Sequence, residues 1–324
     1  MDQFDKSILF QLAVNYRASY QTIAKRLNLS INAIKKRIQK LKDEGVIMGG
    51  LLVPLNAMLG MEDWMAILKT DDPMPSDALL DSLGAHPLVL AASIMTDGSI
   101  LCYGNYAGAQ GLEVIGTFLR NIPGVESVEF HTILSEPGKK QELTLSDLKV
   151  LRCLRQDPRM SISDLKEKTR LTSRRIRKII RELLGENGSE PSNYIEWDSL
   201  GGSLAREVSF KINVQWDLNA GGHTAFFIII RHKEGVEYRS KIVSVLKEQF
   251  PVKFWYAIAS AFEPVFFSVF VVEHMRETSE ILDTLRNTPE VISAYAIYGY
   301  PGKAFHGPID DYFEQLFKRF EIDK

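Results

Sequence analysis

Residues 19–47 read SYQTIAKRLNLSINAIKKRIQKLKDEGVI, and residues 161–185, 142 positions further on, read SISDLKEKTRLTSRRIRKIIRELLG. In the first passage Ser19 can cap a helix carrying Ile23, Ala24 and Leu27, and Asn28-Leu29 then makes a tight turn. Ser30 caps the next helix, whose Ile34, Ile38 and Leu41 recur at i, i+4 and i+7, and Gly45 closes it. The second passage repeats the scheme without a gap: Ser161 and Thr172 stand at the cap positions, and Ile176, Ile180 and Leu183 form the stripe. A preceding helix, with Ile8, Leu9 and Leu12 inward in copy one and Leu151 and Leu154 behind the cap Thr144 in copy two, gives each copy three helices.

Outward from this repeat, Val46 to Val53 with Gly49-Gly50 inside predicts a small two-stranded wing. Strands and helices then alternate as βαββαβ. In copy one the strands are Trp64 to Lys69, Val89 to Met95, Ile100 to Gly104 and Val125 to Ile133, with helices near Asp77 to Leu83 and Ala109 to Asn121. Copy two gives strands Ala225 to Arg231, Phe254 to Ser260, Val265 to Val272 and Val291 to Tyr298, with helices near Tyr238 to Phe250 and Arg276 to Asn287. Such a domain is a ferredoxin-like half-sandwich with one open sheet face. Phe226, Phe227, Trp255, Phe266 and Phe267 enrich that face, and a second copy of the domain is its simplest cover.

The register between copies grows after the second basic helix, which places an insertion of roughly twenty residues at Gly185 to Ser192, running on to Gly201-Gly202. The expected class is α+β, two winged helix-turn-helix domains and two ferredoxin-like βαββαβ domains in tandem. The boundaries are 1–60 for the first head, 61–136 for the first association or sensing domain, 142–220 for the second head with its enlarged wing, 221–301 for the second ferredoxin-like domain, and 302–324 for a C-terminal amphipathic helix. Ser135 to Gln141 is the polar join. In the last helix Ile309, Tyr312, Phe313, Leu316, Phe317 and Phe320 share one stripe, whose expected role is packing.

Composition bounds the function. The 324 residues are 45% hydrophobic and 25% charged, proportions of a globular chain and not of a disordered one. With 39 Lys+Arg against 41 Asp+Glu the net charge is -2, so a nucleic-acid site must come from local clustering. Cys102 and Cys153 stand far apart, which excludes a disulfide framework and a zinc ribbon and fits a reducing cytoplasm. The acidic start is unlike a signal peptide and the longest apolar runs are strand-sized, so no membrane partner is expected.

The clustering is found on the third helix of each copy. Ser30, Asn32, Lys35, Lys36, Gln39 and Lys40 lie on the first, with Arg37 and Lys42 beside them. Arg170, Thr172, Ser173, Arg174, Arg175, Arg177, Lys178 and Arg181 crowd the second. The buried stripes force most of these cations toward solvent. A helix-turn-helix lays this helix in the major groove of double-stranded DNA, where Arg, Asn and Gln can pair with base edges while Lys and hydroxyls hold phosphates.

The first sixty residues resemble the winged helix-turn-helix of the Lrp/AsnC transcription regulators. The residues that carry the resemblance are Phe4-Asp5-Lys6-Ser7-Ile8-Leu9, Thr22-Ile23-Ala24-Lys25-Arg26-Leu27-Asn28-Leu29-Ser30 and Ile38-Gln39-Lys40-Leu41-Lys42-Asp43-Glu44-Gly45-Val46-Ile47. The βαββαβ domain is similar in order to that family's ligand-sensing and dimerising domain. The resemblance implies specific DNA binding, homo-oligomeric association through the sheets and a small amino-acid-like effector. An effector contact would fall at the turn Thr96, Asp97, Gly98 and Ser99, which in copy two reads Ala261-Phe262-Glu263-Pro264. The chain departs from the family in carrying two units, and in having Thr169 where copy one has Leu27.

Enzyme motifs are lacking: the sequence has no GxxxxGK[ST], no HExxH and no nucleophile elbow, so no catalytic residue and no cofactor is assigned. The six histidines form no i, i+4 pair, which leaves metal ligation only across the fold and none expected. Two alternatives stand beside the expected cytoplasmic DNA-binding transcription regulator. One is a tetrapyrrole (siroheme-type) decarboxylase, since some of these resemble the family's fold, with His223, Arg231 or His232 in its cavity. The other is an interaction scaffold, for which the cationic third helices would be superfluous.

Overall fold

The first copy of the computed structural model runs α1 (Gln3–Val14), α2 (Tyr20–Leu27), α3 (Ile31–Asp43), β1 (Ile47–Pro54), a single turn α4 (Asn56–Leu59), β2 (Glu62–Thr70), α5 (Asp77–Gly84), β3 (Val89–Ile94), β4 (Ile100–Tyr106), α6 (Gly108–Arg120) and β5 (Val125–Ile133). The second runs α7 (Leu145–Gln156), α8 (Ile162–Thr169), α9 (Ser173–Leu184), β6 (Phe210–Trp216), β7 (Thr224–His232), α10 (Val236–Gln249), β8 (Phe254–Ala259), β9 (Val265–Val272), α11 (Glu277–Arg286) and β10 (Val291–Ile297), followed by β11 (Lys303–Ala304) and α12 (Pro308–Glu321). The structure describes residues 1–71, 75–135, 138–185, 208–299 and 302–321, so nearly all of the expected insertion, and Glu136-Pro137 of the join, lie outside the described residues.

Helix starts follow the cap chemistry. Ser19, Ser30, Thr144, Ser161 and Thr172 each accept a hydrogen bond from the backbone N–H three residues on. The tight turns use a left-handed residue, Asn28 (φ 53°) in copy one and Arg170 (φ 57°) in copy two. Arg170 therefore lies in the turn before α9 and not on the helix. Thr169 is buried where copy one has Leu27, and its hydroxyl donates back to the Leu165 carbonyl, so the polar group is satisfied.

The expected two-stranded wing is corrected. Ile47–Pro54 is one strand, and its antiparallel partner is β6 of the other copy, with Leu52 opposite Ile212 and Pro54 opposite Phe210. Gly49-Gly50 does not turn the chain. The register shift in this ribbon falls between Ile47 and Gly49, and the absence of a side chain at Gly50 makes room for the Tyr16 ring, which a Cβ would overlap. The two heads thus share one core, in which Ile34, Ile38 and Leu52 are continuous with Ile176, Ile180 and Phe210.

An approximate twofold relates the copies. Arg17 donates to the carbonyls of Pro158 (2.8 Å) and Met160 (3.0 Å), and Arg159 returns the contact to Tyr16 (2.7 Å) and Ala18 (2.9 Å). The Thr96 N–H donates to the Tyr298 carbonyl and that of Ala261 to the Thr132 carbonyl, both at 2.8 Å.

The sheets have strand orders β10-β7-β9-β8 and β11-β3-β4-β2-β5, all pairs antiparallel. Each is covered on one face by its own helices. Their other faces meet, with Met65, Ile67 and Leu101 against Ile229, Val265 and Phe267. The open face is therefore covered by a second copy of the domain, and that copy is in the same chain. The aromatic set assigned to this face is split, because neighbouring strand residues point to opposite sides. Phe227 and Phe267 enter the inter-sheet layer, Phe226 and Phe266 point under the helices, and Trp255 packs with Phe10 and Trp216 beneath the heads.

The C-terminal segment breaks the symmetry. β11 returns to copy one's sheet beside β3, and α12 packs Ile309, Tyr312, Phe313, Leu316 and Phe317 on the shared head core. Arg155 pins α12, at 3.1 Å from Asp310 and over the Phe313 ring. The side chain of Phe320 lies outside the described residues.

Candidate nucleic-acid interface

Helices α3 and α9 begin at equivalent residues, Ile31 and Ser173, each one past its cap. Burial of Ile34, Ile38 and Leu41, and of Ile176, Ile180 and Leu183, turns the opposite faces to solvent. Ser30, Asn32, Lys35, Lys36, Gln39 and Lys40 are all exposed, as are Arg170, Thr172, Arg174, Arg177, Lys178 and Arg181. Ser173 and Arg175 are half-buried.

Not every cation on these helices is free. Arg37 is bound to Asp2 and Asp5, each at 2.7 Å, and these two carboxylates hold it above its ordinary value. Asp2 and Asp5 are also the capping box of α1. In copy two Arg175 stands 3.8 Å from Asp147 and 3.5 Å from the Thr144 hydroxyl, the capping box of α7. One arginine thus ties each third helix to the start of the first, from positions one helical turn apart. Sequence spacing gave no sign of this tie, because it depends on how two helices pack, and it removes Arg175 from the set free to meet a partner. Gln39 donates to Asp43 (2.7 Å), while Lys40 and Lys178 stand 3.8 and 3.6 Å from Glu44 and Glu182. Exposed pairs of this kind are weak and exchange readily. Both helix N-termini, with their partial positive charge, open on the same exposed side as Asn32 and Arg174.

A sequence model of the winged helix-turn-helix DNA-binding domain matches the chain twice, at residues 1–48 and 143–187. The chain thus carries two winged helix-turn-helix segments in tandem. An uncharacterized HTH-type transcriptional regulator of Pyrococcus abyssi (strain GE5 / Orsay) is 28% identical to the chain over 146 residues, covering 41% of the chain and 92% of the relative. The crystal structure of the siroheme decarboxylase NirDL is similar over 99% of the chain and 100% of its own, with a TM-score of 0.54 and 11% identity, a likeness of fold alone. The structure of E. coli AsnC is 24% identical and covers 45% of the chain and 97% of its own, with a TM-score of 0.34. Among the described residues no helix is long and apolar enough to cross a membrane.

The other residues that the sequence singles out are placed as follows. In the turn Thr96-Asp97-Gly98-Ser99, Asp97 Oδ1 accepts from both the backbone N–H (3.0 Å) and the hydroxyl (2.6 Å) of Ser99, and Gly98 has φ 81°. The Thr96 N–H is spent on the cross-copy bond to Tyr298, and the Gly98 N–H donates to the Met95 carbonyl. The histidines and arginine considered for a tetrapyrrole cavity do not converge. His223 precedes β7 and touches the Met1 amine (2.9 Å), whereas His232 ends the same strand, roughly 30 Å away at 3.3 Å per residue. Burial lowers the affinity of both histidines for a proton. Arg231 is paired with Glu129 of the other copy.

Sequence spacing missed one cluster that the fold assembles. Glu129 and His131, two apart on β5, meet Glu263 of the β8–β9 turn, and one ligand atom from each lies within 4.8 Å of the others. His131 is fully buried, with Nε2 3.0 Å from Glu129 and Nδ1 3.5 Å from Glu263. The contact with His131, followed by the nearby Arg231 charge, holds the Glu129 carboxyl below its usual range against the opposing effect of burial. The trio has the donor set for a divalent cation, but Arg231 already occupies one of its carboxylates.

Proposed function

We propose that the chain is a transcription regulator that binds double-stranded DNA through α3 and α9, with one polypeptide supplying the pair of heads that a dimer would otherwise supply. The observation that carries this reading is the pair of third helices, each with a capped, exposed N-terminus and a cationic face, fixed to each other through the β1–β6 ribbon. The contact residues are Ser30, Asn32, Lys35, Lys36, Gln39 and Lys40 in one head. In the other they are Arg170, Thr172, Ser173, Arg174, Arg177, Lys178 and Arg181, with Arg175 as a positioning residue. Heads fixed on one core engage half-sites about one helical turn, or a multiple of it, apart. The boundaries near residues 60, 142 and 220 divide heads from association domains, and the βαββαβ domains serve further association of chains in the cytoplasm. An effector at Thr96–Ser99 would have to displace the bonds Asp97 already makes, so the fold gives it little support. The decarboxylase reading draws only on fold likeness.

The test is the affinity of the purified chain for its own upstream DNA and for random duplex of equal length, at several salt concentrations. Each phosphate contact adds about -0.9 to the log-log salt slope, and the affinity ratio between duplexes measures specificity. A steep slope with roughly a thousandfold preference supports a site-specific regulator. Charge reversal at Arg174 and Arg177 should abolish binding while leaving the assembly intact; unchanged affinity would remove the second head from the reading.

A further inference from the structure

The two heads have the same helix order and equivalent cap positions and are unlike in the side chains they present. The positions that face solvent at i, i+3 and i+7 along the third helix are Asn32, Lys35 and Gln39 in copy one. At the equivalent places copy two has Arg174, Arg177 and Arg181. These positions share one face and begin at the second residue of each helix, the part that a helix-turn-helix brings to the base edges. Among the described residues no carboxylate pairs with Arg174, Arg177 or Arg181, and the nearby Arg175 is the one engaged with Asp147. Their planar forks are free to bind.

Side-chain chemistry then fixes what each head favours. Arginine matches guanine bidentately through O6 and N7, asparagine and glutamine match adenine through N6 and N7, and lysine is a point charge suited to phosphate. Resting on the DNA-binding reading above, we propose that one chain reads two unlike half-sites in inverted orientation. The half-site under α9 is guanine-rich and is read by Arg174, Arg177 and Arg181. The half-site under α3 carries adenine opposite Asn32, with Lys35 and Lys36 holding the backbone. Gln39 is held by Asp43 (2.7 Å) and is the weaker reader of the two amides. The inversion follows from the reciprocal Arg17 and Arg159 contacts and the antiparallel β1–β6 ribbon.

Selection of duplexes from a randomised pool by the full chain tests this directly. The expected product has two different half-sites, guanine-rich on one side and adenine-bearing on the other, their centres about one turn apart. The variant Arg174→Lys/Arg177→Lys keeps the charge and removes the fork. It should lose guanine preference on one side only, by about 5- to 150-fold per base pair, with an unchanged salt slope. Asn32→Ala should relax the other side only. Identical half-sites, or guanine preference that survives in the lysine variant, overturn the inference. Binding without sequence preference also overturns it and leaves DNA binding standing, whereas no binding to any duplex at low salt removes both readings.

Discussion

Lys6 tests how the first head is anchored to the second copy's sheet. It is buried on α1, its ammonium lies 5.4 and 5.8 Å from the ring centres of Phe10 and Trp255, and it donates to the carbonyls of Pro251 and Phe254. Burial, with a smaller contribution from Lys247, pushes it from 10.5 down to about 7. In the unfolded chain a lysine keeps its proton to about 10.4, so between pH 7 and 10 unfolding takes up a proton and stability rises with pH. The slope approaches 1.4 kcal/mol per pH unit, roughly, and vanishes below pH 7, where both states are protonated and the buried charge costs on the order of 5 kcal/mol. The equivalent residue of copy two is Leu148, also buried, so the fold accommodates an apolar chain of this size. Lys6→Met should therefore be more stable than the parent at pH 6. The parent should gain on it by roughly 2–3 kcal/mol between pH 7 and 9. Urea titrations at each pH, followed by tryptophan fluorescence, to which the Trp216 and Trp255 pair contributes, measure the difference. A difference that does not change with pH would refute the reasoning, because the two carbonyls and two ring faces would then be holding the lysine charged throughout.

Further outcomes can be checked in the same denaturation assay. Arg159→Ala removes bonds to two carbonyls of the other copy and the stacking on Tyr16 and Tyr20, and should cost about 2–4 kcal/mol; paired with Arg17→Ala, the double variant should cost less than the sum of the two. Gly50→Ala drives a methyl into the Tyr16 ring and should cost about 1–3 kcal/mol. Gly60→Ala meets no atom within 4 Å, so only the φ of +66° penalises it, by about 1 kcal/mol. Phe313→Ala empties a buried site between Phe210, Phe317 and Arg155 and should cost about 3–5 kcal/mol, detaching α12 from the heads as read by proteolysis of the C-terminal segment.

What could be read from the sequence was local. The caps at Ser19, Ser30, Thr144, Ser161 and Thr172 and the apolar stripes behind them gave both heads, because a helix start and its buried face are written within a few residues. Strands β5 and β9 match their expected ends at both termini for the same reason. The misreadings are non-local. A strand such as Ile47–Pro54 does not encode its partner, and here the partner lies more than 150 residues away. Likewise no spacing rule marks Arg37 and Arg175 as tied to a capping box on another helix, or brings Glu129 and His131 to Glu263 across two sheets.

The same division explains why fusing two units matters. In a symmetric homodimer each substitution on a recognition helix appears in both heads, so the two half-sites must stay alike. Within one chain the copies are free to differ wherever packing does not forbid it. The buried stripe of the third helix has not differed: Ile34 and Ile176, Ile38 and Ile180, and Leu41 and Leu183 are the same residue type, since each must fill the same space in one shared core. The exposed positions have, with Asn32 against Arg174, Lys35 against Arg177 and Gln39 against Arg181. Anchoring has differed as well, for Lys6 faces Pro251 and Phe254 where copy two has Leu148, and α12 docks on one side only. A scaffold whose third helices share their buried stripe and differ on their exposed face keeps the spacing of a dimer's heads without the requirement that both read the same sequence.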